Sequence, residues 1–302
     1  MIPCDIVVVG SYNRDITLNV ARLPTPGETI LSHGRLEAPG GKGSNQAIQA
    51  ALCGAQVGMI AAIGQDGMGD GALAIWAERG VAADGVARLP DAGTGMATIL
   101  VDASGENIIV VDSGANARLS PAQVDAAAEQ IKAARIVVAQ LETPVDATLR
   151  AFEIARAAGA ATLLNAAPAP EAIDAALLAL TDVLVVNEGE GQALSGQDTA
   201  AAIGETLLAR VGKGVIVTLG GDGAMVFAHG QPPLHGRAPK VAVVDTTGAG
   251  DAFIGAFAAR WAQTGDLAAA LAWGLAAGGL ACTAPGAASS YANGARIATL
   301  AG

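Results

Sequence analysis

Hydrophobic and polar positions follow two different rhythms along this chain. Asp5 to Val9 reads as an apolar strand ending at Gly10, the pattern of a strand buried on both faces of a parallel sheet. From Asn13 the residues alternate instead, with Asn13, Asp15, Thr17 and Asn19 on one face and Ile16, Leu18 and Val20 on the other, as in a strand with one wet side. Pro24, Pro26 and Gly27 interrupt it, and Thr29 to Leu36 supplies another short strand. The same rhythm returns at Thr98 to Val101 and Ile108 to Val111, around a turn with Ser104 and Gly105. These segments predict a small β-layer, residues 11–39 and 94–115, inserted into a core of residues 1–10, 40–93 and 116–302.

The remainder alternates strand and helix, the signature of a parallel sheet with crossover helices. Helix is expected from about Asn45 to Leu52 and from Asp70 to Arg79, closing at Gly80, with a strand from Val57 to Ile63 between them. Ser120 to Gln123 has the form of a capping box with Pro121 at the first helical position. A strand follows at Ile136 to Leu141, then a helix from Thr143-Pro144 to near Gly159, then strands at Thr162 to Leu164, Val183 to Val186 and Val215 to Leu219. Val241, Val243 and Val244 read as one more strand, leading through Gly248-Ala249-Gly250 into a helix whose face carries Phe253, Phe257 and Trp261. Leu267 to Ala288 is uncharged but rich in Ala and Gly, with Gly274 and Gly278 at small-xxx-small spacing, so a buried helix close to a neighbour is expected rather than a membrane span.

Polar residues follow the strands: Asn13, Glu142, Asn165, Asn187, Thr218 and Asp245 gather at the carboxyl edge of the sheet, where open α/β sheets bind ligands. Two glycine turns stand at that edge. One is Gly220-Gly221-Asp222-Gly223, suited to close backbone approach by a nucleotide. The other is Gly248-Ala249-Gly250, a helix start that offers unpaired N–H groups and the positive end of a dipole to an anion. Asp251 stands where those groups converge, and its chemical task there is to take a proton from an attacking hydroxyl. An Asp at a helix start also serves as a cap or dipole partner, and the stretch alone leaves both readings open. The dinucleotide fingerprint fails because Phe253 stands where its third glycine belongs, and the Walker Gly-Lys-Ser/Thr occurs nowhere.

Charge narrows the partners. The formal net charge of -11, with only four lysines, argues against nucleic acid or an anionic membrane, and a polyanionic substrate would need local positive groups and a metal ion. Cys4, Cys53 and Cys282 are odd in number and far apart, which fits reduced thiols in a cytoplasmic protein. His33, His229 and His235 make no metal signature, and no secretory leader is visible.

Seven segments, taken in order, resemble the ribokinase family of carbohydrate kinases. They are Asn13-Arg14-Asp15, Pro24 to Thr29, Gly40-Gly41-Lys42-Gly43-Ser44-Asn45-Gln46-Ala47, Gln140 to Pro144, Asn187 with Glu190, Thr218 to Gly223, and Asp245 to Asp251. The resemblance implies a ribokinase-like α/β fold, a central mainly parallel sheet flanked by helices, with the inserted β-layer as a lid over a sugar and shared in a homodimer. It further implies ATP-dependent phosphorylation, with Asp251 as base and the N–H groups of Gly248, Ala249 and Gly250 as anion hole. Asn13, Asp15, Gly41, Lys42, Asn45 and Glu142 would hold the sugar, and Asn187, Thr218, Gly220, Gly221, Gly223 and Gly250 would bind ATP. Asn187 and Glu190 would organise Mg2+ and phosphate, and Asp245 and Thr247 with Ala281, Ala284, Gly286 and Ser290 would surround K+.

The expected acceptor is a free pentose, D-ribose first, at its primary hydroxyl. The lid segments contain one aromatic, Tyr12, whereas a nucleoside favours stacking. Arg14, Arg22, Arg35 and Lys42 are scattered rather than clustered for a sugar phosphate, and alternation turns Arg14 away from the sugar face. A ketohexose, or a keto-deoxy sugar acid met by an inward Arg14, is the alternative acceptor. A sugar sensor without chemistry and a dehydrogenase are the rival functions.

Overall fold

The structure, a computed structural model, describes residues 4–302. Strand β1 (Ile6–Val9) leads into β2 (Asn13–Val20) and β3 (Ser32–Gly40), and α1 (Lys42–Leu52) returns the chain to β4 (Val57–Gly64), α2 (Gly67–Arg79) and β5 (Val81–Leu89). After β6 (Met96–Val101) and β7 (Asn107–Asp112) come α3 (Pro121–Ala126), α4 (Ala128–Ala133), β8 (Ile136–Ala139), α5 (Val145–Ala158) and β9 (Ala161–Asn165). Then follow α6 (Ala175–Ala179), β10 (Val183–Asn187), α7 (Glu188–Ser195), α8 (Ala200–Leu208), β11 (Gly214–Thr218), β12 (Ala224–Ala228) and β13 (Leu234–Gly236). The chain closes with α9 (Ala249–Thr264), α10 (Leu267–Ala281) and α11 (Gly294–Ala301).

Nine strands form the large sheet in the order β13-β12-β11-β10-β9-β8-β1-β4-β5, parallel except at the β11–β12 and β12–β13 pairings. Both faces are apolar, as the first strand shows. Ile6 and Val8 enter a core with residues of α1, α2, α9 and α10, while Val7 and Val9 enter a second core with residues of α3, α5 and α8. A fully buried side chain of this size contributes about 1.5–3 kcal/mol, so the sheet is covered on both sides at once. The four-stranded small sheet, β3-β2-β6-β7, is mixed, because β2 pairs with β6 in parallel and the two outer pairings are antiparallel. Asp66 caps α2 through the Gly69 N–H and also accepts from the N–H and hydroxyl of Thr94, which ties the start of the segment leading into β6 to α2.

The expected capping box forms at Ser120 and Gln123, and Gly80 and Gly159 end their helices in the left-handed conformation. Gly274 and Gly278 bring α10 close to α9: a Cβ at Gly274 would lie 2.9 Å from the Phe253 ring, and one at Gly278 would lie 3.2 Å from the Ala249 carbonyl oxygen. Among the described residues no helix is long and apolar enough to cross a membrane.

Two expectations are corrected, and one strand has no counterpart among them. No strand forms at Val241 to Val244, where Val243 and Val244 are exposed and the N–H groups of Val244 and Asp245 both donate to the Cys282 carbonyl at the end of α10. β-Branched residues favour a strand only where a neighbouring strand supplies partners. Helix α1 begins at Lys42 rather than Asn45, because Gly41 turns at φ 88° directly out of β3. Strand β5 was hidden by Asp84-Gly85, a turn signal that here lies within an edge strand near a register shift in its pairing with β4.

Candidate active site

The start of α9 is pinned to the segment that follows α10. Gly248 is its left-handed N-cap at φ 73°, and a Cβ there would lie 2.6 Å from the Ala287 Cβ and 2.7 Å from the Tyr291 Oη. Tyr291 Oη donates to the Gly248 carbonyl at 2.9 Å. The Asp245 carboxylate accepts from the Thr247 N–H at 2.9 Å, the Thr247 hydroxyl at 2.7 Å and the Gly286 N–H at 2.8 Å. Burial pushes the pKa of Asp245 upward, but the bonds from Gly286 and Thr247 together outweigh it and hold the group below the ordinary carboxylate value. The Ala249 N–H donates back to the Thr246 carbonyl at 3.2 Å, so this member of the expected anion hole is engaged within the turn. Gly248 and Gly250 line the cleft, and open space surrounds the position of a Cβ at Gly250.

Asp251, one residue further into α9, is 8% exposed. Its Oδ2 accepts from Asn45 Nδ2 at 3.0 Å and its Oδ1 from Gln46 Nε2 at 2.9 Å, both on α1. Burial raises its pKa most. Lys42 and the two amides pull it back, and Glu142 pushes it up again. Asp15 is pushed up to about 6, by burial first and then by the charges of Glu142 and Asp251. A buried carboxylate with raised basicity, placed beside an anion-binding turn, is suited to accept a proton from a hydroxyl.

The sugar-side residues converge through glycines that let backbones touch. A Cβ at Gly40 would overlap the Asp15 carboxylate, and one at Gly41 would lie 2.8 Å from the Asn13 nitrogen. Glu142 accepts from the Lys42 N–H at 2.9 Å and from the Ser11 hydroxyl. Asn13 Oδ1 accepts from Asn116 Nδ2 at 2.9 Å, and Asn116 also clamps the Tyr12 backbone by a donated and an accepted bond. Arg14 does face away from this cluster and pairs with Glu37 at 3.1 Å.

On the other side of Asp251 the cleft carries Lys42, Asn187, Glu190 and Thr218. The side chain of Lys42, which the resemblance assigned to the sugar, lies here, and only its N–H reaches the sugar-side carboxylate. Asn187 and Glu190 form the capping box of α7, with Asn187 Oδ1 accepting from the Glu190 N–H at 2.8 Å and Glu190 Oε2 from the Asn187 N–H at 2.9 Å. Among the described residues no cluster of three or more metal-ligating side chains forms. The Glu190 carboxylate on the cleft wall suits a hard cation that takes its remaining ligands from phosphates and water, the usual habit of Mg2+. Gly220 and Gly221 stand exposed with nothing within 4 Å of an added Cβ, whereas a Cβ at Gly223, φ 101°, would lie 2.0 Å from the Gly236 carbonyl oxygen.

The cleft therefore joins the buried Asp251 carboxylate to a glycine-lined helix start, within electrostatic reach of Asp15 and Glu142. The pfkB family of carbohydrate kinases matches the chain over residues 4–293. The chain belongs to that family. It is 38% identical over 259 residues to the ribokinase of Mus musculus, covering 84% of this chain and 80% of that one. It is 36% identical over 292 residues to the deoxyribokinase of Salmonella typhimurium, covering 95% of each. The structure of Arabidopsis thaliana ribokinase complexed with ribose and ATP superposes with a TM-score of 0.93 at 30% identity, covering 99% of each chain.

Several residues of this kinase cleft carried no separate signal in the sequence. Gln46 lies inside a segment that resembles the family but has no assigned role, Asn165 is placed only on the carboxyl edge of the sheet, and Ser11, Asn116 and Tyr291 carry no signal. One usable signal existed for Gln46: Ser44, Asn45, Gln46 and Gln49 are a polar run in a helix that is buried there on every side. Asn116 and Tyr291 lie in connecting segments whose partners are far away in the chain.

Proposed function

We propose that the protein transfers the γ-phosphoryl group of ATP to the primary hydroxyl of D-ribose, giving ribose 5-phosphate and ADP. The observation that carries this reading is Asp251, buried between the hydroxyl-binding cluster and the helix start at Gly248. Asn13, Asp15, Asn45 and Glu142 present donors and acceptors to sugar hydroxyls, a set that discriminates strongly because a lost partner leaves a buried group unpaired. Asp251 takes the proton of the attacking hydroxyl. The N–H groups of Gly248 and Gly250, with the positive end of α9, meet the charge on the transferring phosphoryl group, and Lys42 adds a full positive charge. Asn187, Thr218, Gly220, Gly221 and Gly223 are assigned to the nucleotide. Glu190 and Asn187 are assigned to Mg2+, which when bound neutralises phosphate charge.

The core of residues 1–10, 40–93 and 116–302 and the lid of residues 11–39 and 94–115 are assigned as the two bodies that close over the sugar and exclude water. All of β7 is exposed, including Ile108, Ile109, Val110 and Val111, which supports a homodimer through the lid. Sedimentation of wild type and of Ile109→Glu tests it, a monomeric wild type counting against it. Asp245, Thr247, Ala281, Ala284, Gly286 and Ser290 are assigned to K+, supported by the bond that brings Asp245 to Gly286. Equal rates in KCl and NaCl at matched ionic strength would remove that assignment.

A 2-deoxypentose is the second reading, favoured by the likeness to the Salmonella deoxyribokinase along nearly the whole chain. Sugar-dependent ADP release, measured across ribose, 2-deoxyribose, fructose, 2-keto-3-deoxygluconate and adenosine, decides the acceptor. Ribose should lead in kcat/KM, and a rank about tenfold or more below any other sugar would sink the assignment while leaving the kinase reading intact.

A further inference from the structure

The two amides that hold Asp251 are not equivalent. Gln46 is 1% exposed and engages both of its polar atoms inside the protein: Nε2 donates to Asp251 Oδ1 at 2.9 Å and to Asn165 Oδ1 at 3.2 Å, and Oε1 accepts from Gln140 Nε2 at 2.7 Å. Gln140 is buried as well and wedged where a Cβ at Gly10 would overlap it. Asn45, in contrast, borders the sugar cluster with its Oδ1 buried and without a hydrogen-bond partner, so only its Nδ2 is engaged, on Asp251 Oδ2. A group with spare polar capacity can turn to a ligand, whereas one tied at three points cannot move without leaving partners unpaired.

We infer that Gln46, backed by Gln140, is the positioning residue of the catalytic carboxylate: it keeps hold of Asp251 Oδ1, while Asn45 gives up Oδ2 to the incoming sugar hydroxyl. This rests on the reading of Asp251 as the base. Oδ2 is then the atom that receives the proton, and Gln46 stabilises the ionised form in the meantime. The charged groups around the carboxylate are Lys42 on α1, Glu142, Asp15 on β2 and Glu190 on α7, with the Tyr291 phenol nearby on the segment before α11. All of them stay in place when only residue 46 is changed.

The test is the pH profile of kcat/KM for Gln46→Leu and Gln46→Glu, with Asp251→Asn alongside. Loss of a donor to a buried carboxylate favours its protonated form, so the acid limb should move to higher pH by about one unit or more. Activity at neutral pH should fall about tenfold, recovering toward high pH, with the KM for sugar within about twofold. Folded variants that keep the wild-type limb and kcat overturn the inference. If neither variant folds, the side-chain amide protons of Gln46 in the wild-type enzyme decide: one should follow the Asp251 titration and cease to do so in Asp251→Asn, and an amide indifferent to pH overturns it. An Asp251→Asn enzyme with full turnover would instead remove the base reading itself.

Discussion

The two glycine turns at the carboxyl edge of the sheet share a residue type and differ in everything that surrounds it. The turn at Gly248 is tied to the segment that follows α10 by several bonds: the Asp245 carboxylate accepts from the Gly286 N–H, the Val244 and Asp245 N–H groups donate to the Cys282 carbonyl, and the Tyr291 phenol donates to the Gly248 carbonyl. The turn at Gly220 to Gly223 closes mainly on itself, with the Leu219 N–H donating to the Gly223 carbonyl at 2.8 Å and the Gly223 N–H to that of Gly220 at 3.1 Å. A turn that meets a transferring group must hold its donors still before the charge develops. A turn that only has to let a nucleotide lie against the backbone needs access more than bracing. On the proposed roles, the number of bonds reaching in from distant segments separates the chemical turn from the binding turn, where glycine content does not.

The hardest test of that contrast is Asp251→Asn, which keeps the shape and removes the basicity. Turnover should fall on the order of 10^2- to 10^4-fold with ATP binding little changed, measured by single-turnover kinetics and nucleotide titration. Near wild-type turnover would make the pinned turn a binding device like its neighbour. Next comes a matched pair. Gly248→Ala places a Cβ against Ala287 and Tyr291 at positive φ and should lower kcat by roughly tenfold or more and reduce the Tm. Gly221→Ala meets open space and should alter stability by less than about 0.5 kcal/mol, with any kinetic effect confined to the KM for ATP. Equal losses in the two variants would erase the distinction.

Tyr291→Phe removes one hydrogen bond from the pinned turn. A roughly three- to tenfold drop in kcat is expected, with the KM for sugar unchanged, because such a bond is worth about 1 kcal/mol. An unchanged kcat would show that the phenol only fills space. The smallest effect is on stability. Half-buried Asp15 lies within electrostatic reach of Glu142 and Asp251, and its folded-state pKa of about 6 lies above the unfolded value. The folded protein therefore holds this proton more tightly, so the contribution to stability is present at low pH and is lost as pH rises through about 6. Thermal unfolding of the ligand-free protein should show a penalty on the order of 1–3 kcal/mol at pH 8 relative to pH 4, diminished in Asp15→Asn. Parallel curves for the two proteins would show that Asp15 does not carry it.

The inner parallel strands β1, β4, β8, β9, β10 and β11 were legible because each is an apolar run buried on both faces, and β2 because its alternation survives in sequence as it does in space. The turn at Gly248 to Gly250 and the helix it opens were legible because a tight helix start favours small residues in immediate succession. Val241 to Val244 misled for the complementary reason: whether a β-branched run becomes a strand depends on a pairing partner, and the local pattern is silent about partners. What the amino-acid sequence determined by itself was therefore whatever depends on neighbours in the chain: periodicity, caps and turn chemistry. Only the tertiary structure decided which distant groups brace them. Gln46 and Asn45 reach Asp251 across more than 200 residues, and Tyr291 reaches Gly248 across 43. No local pattern encodes such a bond, because its geometry exists only once the sheet has brought the two segments to the same edge.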